Sequence, residues 1–343
     1  MRRLLNTLFV MTDGSYLKKE GESVVVKVKK EVKLRLPIHN LSGIVCFGRV
    51  VCSPVLLGFC AHRGVAVSFL SPNGRYLARV QGPTSGNVLL RREQYRRADQ
   101  ISECTPIARS IVLAKVANCR TSLQRAIRDH CETGDLSPMK KAVTGLEQCI
   151  RDVKGEDDLD RIRGFEGYAS RTYFDVFNDM ITGQKESFVL EGRTRRPPLD
   201  NVNALLSFIY TILLHDVSSA LETVGLDPQV GFFHRFRPGR PSLALDLMEE
   251  FRPVLADRLA LSLINLRQVS PLGFAKEETG GVKMNEETRR VVLTAYQKRK
   301  QEEIMHPFLA EKIPMGMIYF AQALLLAQYL RGDLDGYPPF FWK

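Results

Sequence analysis

Apolar side chains recur every second residue before about residue 82 and with a helical period after about residue 88. Strand side chains alternate between two faces, whereas a helix gathers residues three and four apart onto one face. A single layer cannot serve both periods, so the switch divides the chain in two. In SVVVKVKKEVKLRLP, Val24, Val26 and Val28 alternate with Val25, Lys27 and Lys29. After a slip, Val32, Leu34 and Leu36 alternate with Lys33 and Arg35. GIVCFG predicts a short buried strand, and VAVSFL, the turn SPNG and RYLARV predict a hairpin. Ser53 and Pro54 predict an N-cap and first helical position, with Gly64 closing that helix.

The expected organisation is α+β with two domains, which 343 residues can supply with separate cores. A basic β-rich domain spans 1–82, a linker beginning in GPTSGN spans 83–90, and a helical domain spans 91–336. IARSIVLAKVANCRTSLQRAI and NALLSFIYTILLHDVSSALETVG carry the helical period, the second closed by Gly225 and followed by Pro228. No further strand is evident after residue 88. RTRRPP predicts an exposed loop. GYPPFFWK, containing residues 337–343, cannot be helical through its two prolines, and its aromatic residues suggest a docking segment.

No apolar run approaches the roughly 18 residues that cross a bilayer. The start, MRRLLNTLFVMTDG, has the charge of a signal peptide, but Thr12, Asp13 and Gly14 end its apolar run early. Seven cysteines, odd in number and without a CxxC pair, are expected to be reduced core residues, and the expected location is cytoplasmic. The net charge is +11; residues 1–82 hold 13 Lys and Arg against 4 Asp and Glu. Such a balance suits a nucleic-acid binder, although basic composition alone selects no partner.

Three places concentrate chemistry. Glu166 falls on the apolar stripe of a helix with Ile162, Phe165, Ala169 and Tyr173. A carboxylate there needs a cation, either a metal or an arginine in a structural ion pair. In GFFHRFRPGR, His234 stands among aromatics, followed by Arg235, Arg237 and Arg240. A histidine so placed is a ligand or a satisfied core residue. Asp246, Glu249 and Glu250 lie opposite the apolar face of LALDLMEEFRP, which is either a solvated surface or a cation site. One imidazole with two or three carboxylates suits Mg²⁺ or Mn²⁺ better than zinc.

These residues, in this order, resemble a known family, the larger of the two proteins shared by CRISPR adaptation systems, an integrase and endonuclease. The resemblance runs through HNLSGIVCFG, GVAVSFLSPNGRYLARV, GNVLLRREQYR, GFEGYASRTYF, NALLSFIY, GFFHRFRPGRPSLALDLMEEFRP and VLTAYQKRK. SPNGRYLARV and GNVLLRREQYRRA look most like the type I-C branch. The resemblance implies an N-terminal β-sandwich, an all-α catalytic domain, and a homodimer that assembles with a small ferredoxin-like companion protein. It also implies Mg²⁺- or Mn²⁺-dependent chemistry on DNA, joining the 3′-hydroxyl ends of a short duplex to a CRISPR array. By position, Glu166, His234 and Glu249 match its metal ligands, and Asp246 matches a second acid near the metal. Many members have Asp where this chain has Glu249.

His234 must be neutral to hold a metal, so acid should remove activity. Arg235, Arg237 and Arg240 are the expected phosphate contacts, with Asn203 near the site on the NALLS helix. The rival readings are a stand-alone nuclease acting on branched DNA and a DNA-end-binding scaffold with a vestigial metal site.

Overall fold

The computed structural model describes residues 7–41, 43–72, 76–80, 88–129, 135–194, 196–278 and 280–342. Two compact units emerge, one of residues 1–86, 284–303 and 314–317, the other of residues 87–283, 304–313 and 318–343.

The first unit opens with β1 (Thr7–Val10), β2 (Ser15–Glu20), β3 (Ser23–Val28) and β4 (Glu31–Pro37). β5 (Gly43–Phe47), β6 (Val51–Cys52), α1 (Pro54–His62), β7 (Ala66–Leu70) and β8 (Tyr76–Val80) follow. They form two four-stranded sheets, ordered β1-β5-β7-β8 and β4-β3-β2-β6. Val10, Ile44 and Val67 of one sheet share a core with Leu17, Val24 and Val26 of the other, as a sandwich requires. The slip in the valine alternation is a hairpin turn. Lys29 and Lys30 both have positive φ, 48° and 71°, which matches the right-handed twist of the flanking strands. Ser53 caps α1 by accepting from Leu56 N at 3.2 Å, and Gly64 closes it at φ +67°.

The second unit contains α2 (Val88–Ala98), α3 (Ile101–Asp129), α4 (Ser137–Lys154), α5 (Leu159–Asp175), α6 (Asn201–Thr223) and α7 (Ser242–Met248). A π-helical turn, Arg252–Asp257, leads into α8 (Arg258–Asn265). The chain continues through β9 (Phe274–Lys276), β10 (Val282–Met284), α9 (Glu286–Gln301), β11 (Glu303–Met305), β12 (Lys312–Pro314) and α10 (Ile318–Arg331).

Four expectations need correcting. Residues 81–87, with most of the expected linker, lie outside the described residues, and α2 already begins at Val88. α9 belongs to the first unit, so 91–336 is not one continuous helical domain. β9 pairs with β10 and β11 with β12; strands of three residues are too short to display a period. α6 is long and apolar enough to cross a membrane by length and composition, yet its apolar window is 67% buried within the protein, as in a core helix. The six described cysteines are free thiols.

Candidate active site

The loop carrying His234 is shaped by a single carboxylate. Asp246 Oδ2 accepts from Phe232 N at 2.6 Å and Phe233 N at 3.0 Å. Its Oδ1 accepts from His234 N at 2.8 Å and meets His234 Nδ1 at 2.7 Å. Asp246 is fully buried, so this ring of donors replaces its hydration. The bond to a carboxylate places the imidazole proton on Nδ1 and leaves the Nε2 lone pair facing away, 3.8 Å from Glu249 Oε1. Gly231 lets the two segments meet, because a Cβ there would stand 2.5 Å from Asp246 Oδ2 and 2.7 Å from the Ser242 carbonyl carbon. From α2, Gln94 Nε2 holds the approach by donating to the carbonyls of Asp227 and Val230 at 2.8 and 2.7 Å. From α5, Arg163 donates to Phe233 O at 3.0 and 2.8 Å. The helix that carries Glu166 thus also grips the histidine loop.

Glu166 lies one turn beyond Ile162 on α5, and Ser170 Oγ donates to its Oε1 at 2.8 Å. Glu249 follows the last residue of α7. Both carboxylates converge on the ammonium of Lys115, from the middle of α3: Nζ pairs with Glu166 Oε1 and stands 2.7 Å from Glu249 Oε2. The second contact is an ion pair, and the buried Oε2 has no hydrogen-bond partner besides that ammonium. Arg252, on the π turn, stands 3.2 Å from Glu249 Oε1. Burial alone would raise the Glu249 carboxyl, but Arg252, Lys115 and His234 together outweigh it and hold the group at about 2. Burial likewise disfavours charge on Lys115, and Glu249 and Glu166 overcome it, so its ammonium is held above the usual lysine range.

Beside this cluster a cavity of about 380 Å³ is lined by Lys115, Arg193, Arg252, Tyr173, Tyr210 and Asp257, among others. Tyr210 OH donates to Asp257 at 2.6 Å, and burial pushes the Asp257 carboxyl up to about 6. The Arg193 and Arg252 guanidiniums lie 5.1 and 4.9 Å from the Tyr210 ring centre.

The structure brings Glu166, His234 and Glu249 together and redistributes the remaining candidates. The acids of LALDLMEEFRP do not form a solvated face: Asp246, Glu249 and Glu250 are all buried. The backbone amides of Phe232, Phe233 and His234 and the His234 imidazole occupy both Asp246 oxygens. Asn203, expected near the site among the DNA-facing residues, is a buried anchor. Its Oδ1 accepts from Thr194 N at 3.1 Å and its Nδ2 donates to Gly192 O at 2.7 Å, which fixes the loop bearing Arg193. Arg235 and Arg237 are exposed, and Arg235 meets Asp160 at 3.1 Å; Arg240 is half-buried. Lys115 and Arg252 escape the sequence reading. A lone lysine on the apolar stripe formed by Ile107, Ile111 and Val112 is the signal that identifies the first.

Among the described residues, no three His, Cys, Asp or Glu side chains form a ready cluster around an ion. The donor set nevertheless fits a hard divalent cation. Two carboxylates already share one cation, Glu249 Oε2 has only that ammonium beside it, and the imidazole offers a nitrogen held in a single tautomer.

A family profile described as CRISPR associated protein Cas1 matches residues 8–298. The chain is 54% identical to a CRISPR-associated endonuclease Cas1 of Chlorobaculum tepidum, over 100% of both chains. It is 49% identical to another of Rhodospirillum rubrum, again over 100% of both. The solved structure of a CAS1 protein from Thermotoga maritima shares the fold, with a TM-score of 0.81 at 23% identity, covering 98% of this chain and 100% of that one. This chain belongs to the CRISPR-associated Cas1 family.

Proposed function

We propose that this chain is a Mg²⁺- or Mn²⁺-dependent DNA endonuclease and integrase of CRISPR adaptation, joining the 3′-hydroxyl ends of a short duplex to the ends of a CRISPR repeat. One observation carries the reading: Glu166 and Glu249, from separate elements, converge on one cation beside an imidazole locked by Asp246. The endonuclease names of relatives identical at 54% and 49% support the nuclease half. Glu166, Glu249 and His234 Nε2 would hold the ion. Bound there, it would polarise a phosphoryl oxygen and neutralise charge in an in-line displacement.

The chain's own residues prepare the site. Asp246 keeps the His234 proton on Nδ1, while Arg252 and Lys115 keep Glu249 ionised. Lys115, Arg193 and Arg252 give the adjoining cavity positive charge where a strand's phosphate would lie. Arg235 and Arg237 would meet the DNA backbone further out, with Arg240 behind them. In joining, the attacking 3′-hydroxyl oxygen forms a new P–O bond as the target's P–O3′ bond breaks. The hydroxyl proton is released, and the departing 3′ oxygen takes one up. Water in place of the hydroxyl gives nicking. The same reading makes the working form a cytoplasmic homodimer that assembles with DNA and a small ferredoxin-like companion protein.

The test supplies a branched duplex, or a supercoiled repeat plasmid with free 3′-hydroxyl duplex ends, in Mn²⁺, Mg²⁺ or EDTA. Metal-dependent cutting or joining that is lost in His234→Ala is expected. Equal activity in that variant would reject the site.

A further inference from the structure

The aromatic tail is built into the helical unit, where it grips the residue next to Glu249. Tyr337 OH donates to Glu250 Oε1 at 2.6 Å, while Phe340 N and Gln322 Nε2 donate to Glu250 Oε2 at 2.8 and 3.1 Å. Asn118, on α3, joins the same two stretches of chain. Its Nδ2 donates to Glu250 O at 2.8 Å and to Phe340 O at 2.9 Å, and its Oδ1 accepts from Trp342 N at 2.8 Å. The guanidiniums of Arg125 and Arg258 lie 3.6 and 4.3 Å from the Trp342 ring centre. Tyr337 and Phe340 are buried.

The backbone at Glu249 needs such support. α7 ends at Met248 and the π turn begins at Arg252, so residues 249–251 lie between two helical ladders. There the amides of Glu249 and Glu250 reach back only three residues, to Asp246 O at 3.1 Å and Leu247 O at 3.4 Å. Such bonds have poorer geometry than those of an α-helix. The side-chain network from the tail therefore fixes the peptide that aims Glu249. Asn118 also stands one turn along α3 from Lys115, so the network holds both partners of the Lys115–Glu249 pair.

We propose that Tyr337, Phe340 and Trp342 form a latch that positions Glu249, acting through Glu250 and Asn118, with Tyr337 as its principal positioning residue. This rests on the reading of Glu249 as a metal ligand. A tail that merely covers the core would lower stability without changing how the site binds a cation; a latch changes both.

The chain contains one tryptophan, Trp342, so intrinsic fluorescence reports on the tail. The experiment uses the full-length protein, Tyr337→Phe, a truncation after Gly336, the exposed-residue control Phe341→Ala, and Glu249→Gln. Mn²⁺ affinity is measured by the electron paramagnetic resonance of free Mn²⁺, and tail docking by acrylamide quenching of Trp342. Tyr337→Phe is expected to raise quenching and weaken Mn²⁺ binding about tenfold, the scale of losing a group that supports a metal ligand. The truncation should weaken it at least as much, and Phe341→Ala should bind as wild type does. Wild-type Mn²⁺ affinity in the truncated protein, while Glu249→Gln loses binding, would overturn the latch and leave the metal site standing. Absence of Glu249-dependent binding in the wild type would instead remove the reading on which the latch rests.

Discussion

Lys115 Nζ lies 2.7 Å from Glu249 Oε2, and the same ammonium pairs with Glu166. An internal cation thus stands where the two acidic side chains meet. Removing one partner of a buried pair leaves the other charged and uncompensated, at a cost of about 3–5 kcal/mol. Lys115→Met should therefore lower the melting temperature in EDTA. Mn²⁺ should restore more of it than it adds to the wild type, because the ion replaces the lost charge. An equal Mn²⁺ shift in both proteins would show that ammonium and ion do not share a place.

Asp246→Asn keeps the shape of the side chain and substitutes a donor for one acceptor. At least one of the amides of Phe232, Phe233 and His234, or the imidazole, then loses its partner. Mn²⁺ affinity should fall by about 10–100-fold, as for other groups that orient a ligating histidine. Titration of Mn²⁺ into both proteins decides it, and unchanged affinity would refute the orienting role.

Gly231→Ala should destabilise the protein by about 1–3 kcal/mol, the usual range for overpacking. The added methyl would stand 2.5 Å from Asp246 Oδ2 and 2.8 Å from Leu243 N, and neither can retreat without opening the loop. Urea unfolding measures the change. A wild-type midpoint would show that the loop yields freely.

His306 supplies a pH dependence. Its Nδ1 accepts from Leu309 N at 3.2 Å, so Nε2 carries the proton and donates to Gln322 Oε1 at 3.0 Å. Burial, only partly offset by that bond, lowers its pKa from the usual 6.5. A depressed folded value means that the stabilising neutral form is fully present above 6.5 and is lost as pH falls through the lower folded value. Glu250 and Tyr337 also face Gln322, and burial pushes the Glu250 carboxyl up to about 8, which favours folding in the opposite pH direction. Comparison with His306→Gln separates the two. Between pH 7.5 and 5, roughly the window in which histidine changes charge, the wild type should lose stability relative to the variant. Parallel pH profiles would exclude His306.

Arg237→Ala should weaken binding to DNA of any sequence and reduce the slope of log affinity against log salt by about 1, the contribution of one phosphate contact. Equilibrium binding across a salt series tests this. An unchanged slope would remove Arg237 from the interface.

Much of the fold is legible in the sequence because local rules bear it. Gly64 and Gly225 sit at left-handed positions after their helices, at φ +67° and +89°, and Lys29 and Lys30 turn the hairpin where the valine alternation slips. Glu166 and His234 stand out in the sequence by their apolar surroundings, but it is the resemblance that groups them with Glu249. What the sequence conceals is pairing over distance. Nothing in IVLAKVANC says that Lys115 meets acids 51 and 134 residues later. The acids of LALDLMEEFRP look solvated because a helical wheel cannot distinguish water from a second buried layer. Asn203 misleads for a related reason: its place near the start of α6 is visible, but the loop it anchors is tertiary.

Glu249 and Glu250 are neighbours of one residue type, and each is buried. One turns toward Lys115 and the other toward Tyr337. An alignment sliding by a single position across this stretch would still match glutamate to glutamate, while exchanging the side chain that meets a cation for the one that holds the chain's end. Correspondence of letters here is a weaker criterion than correspondence of direction.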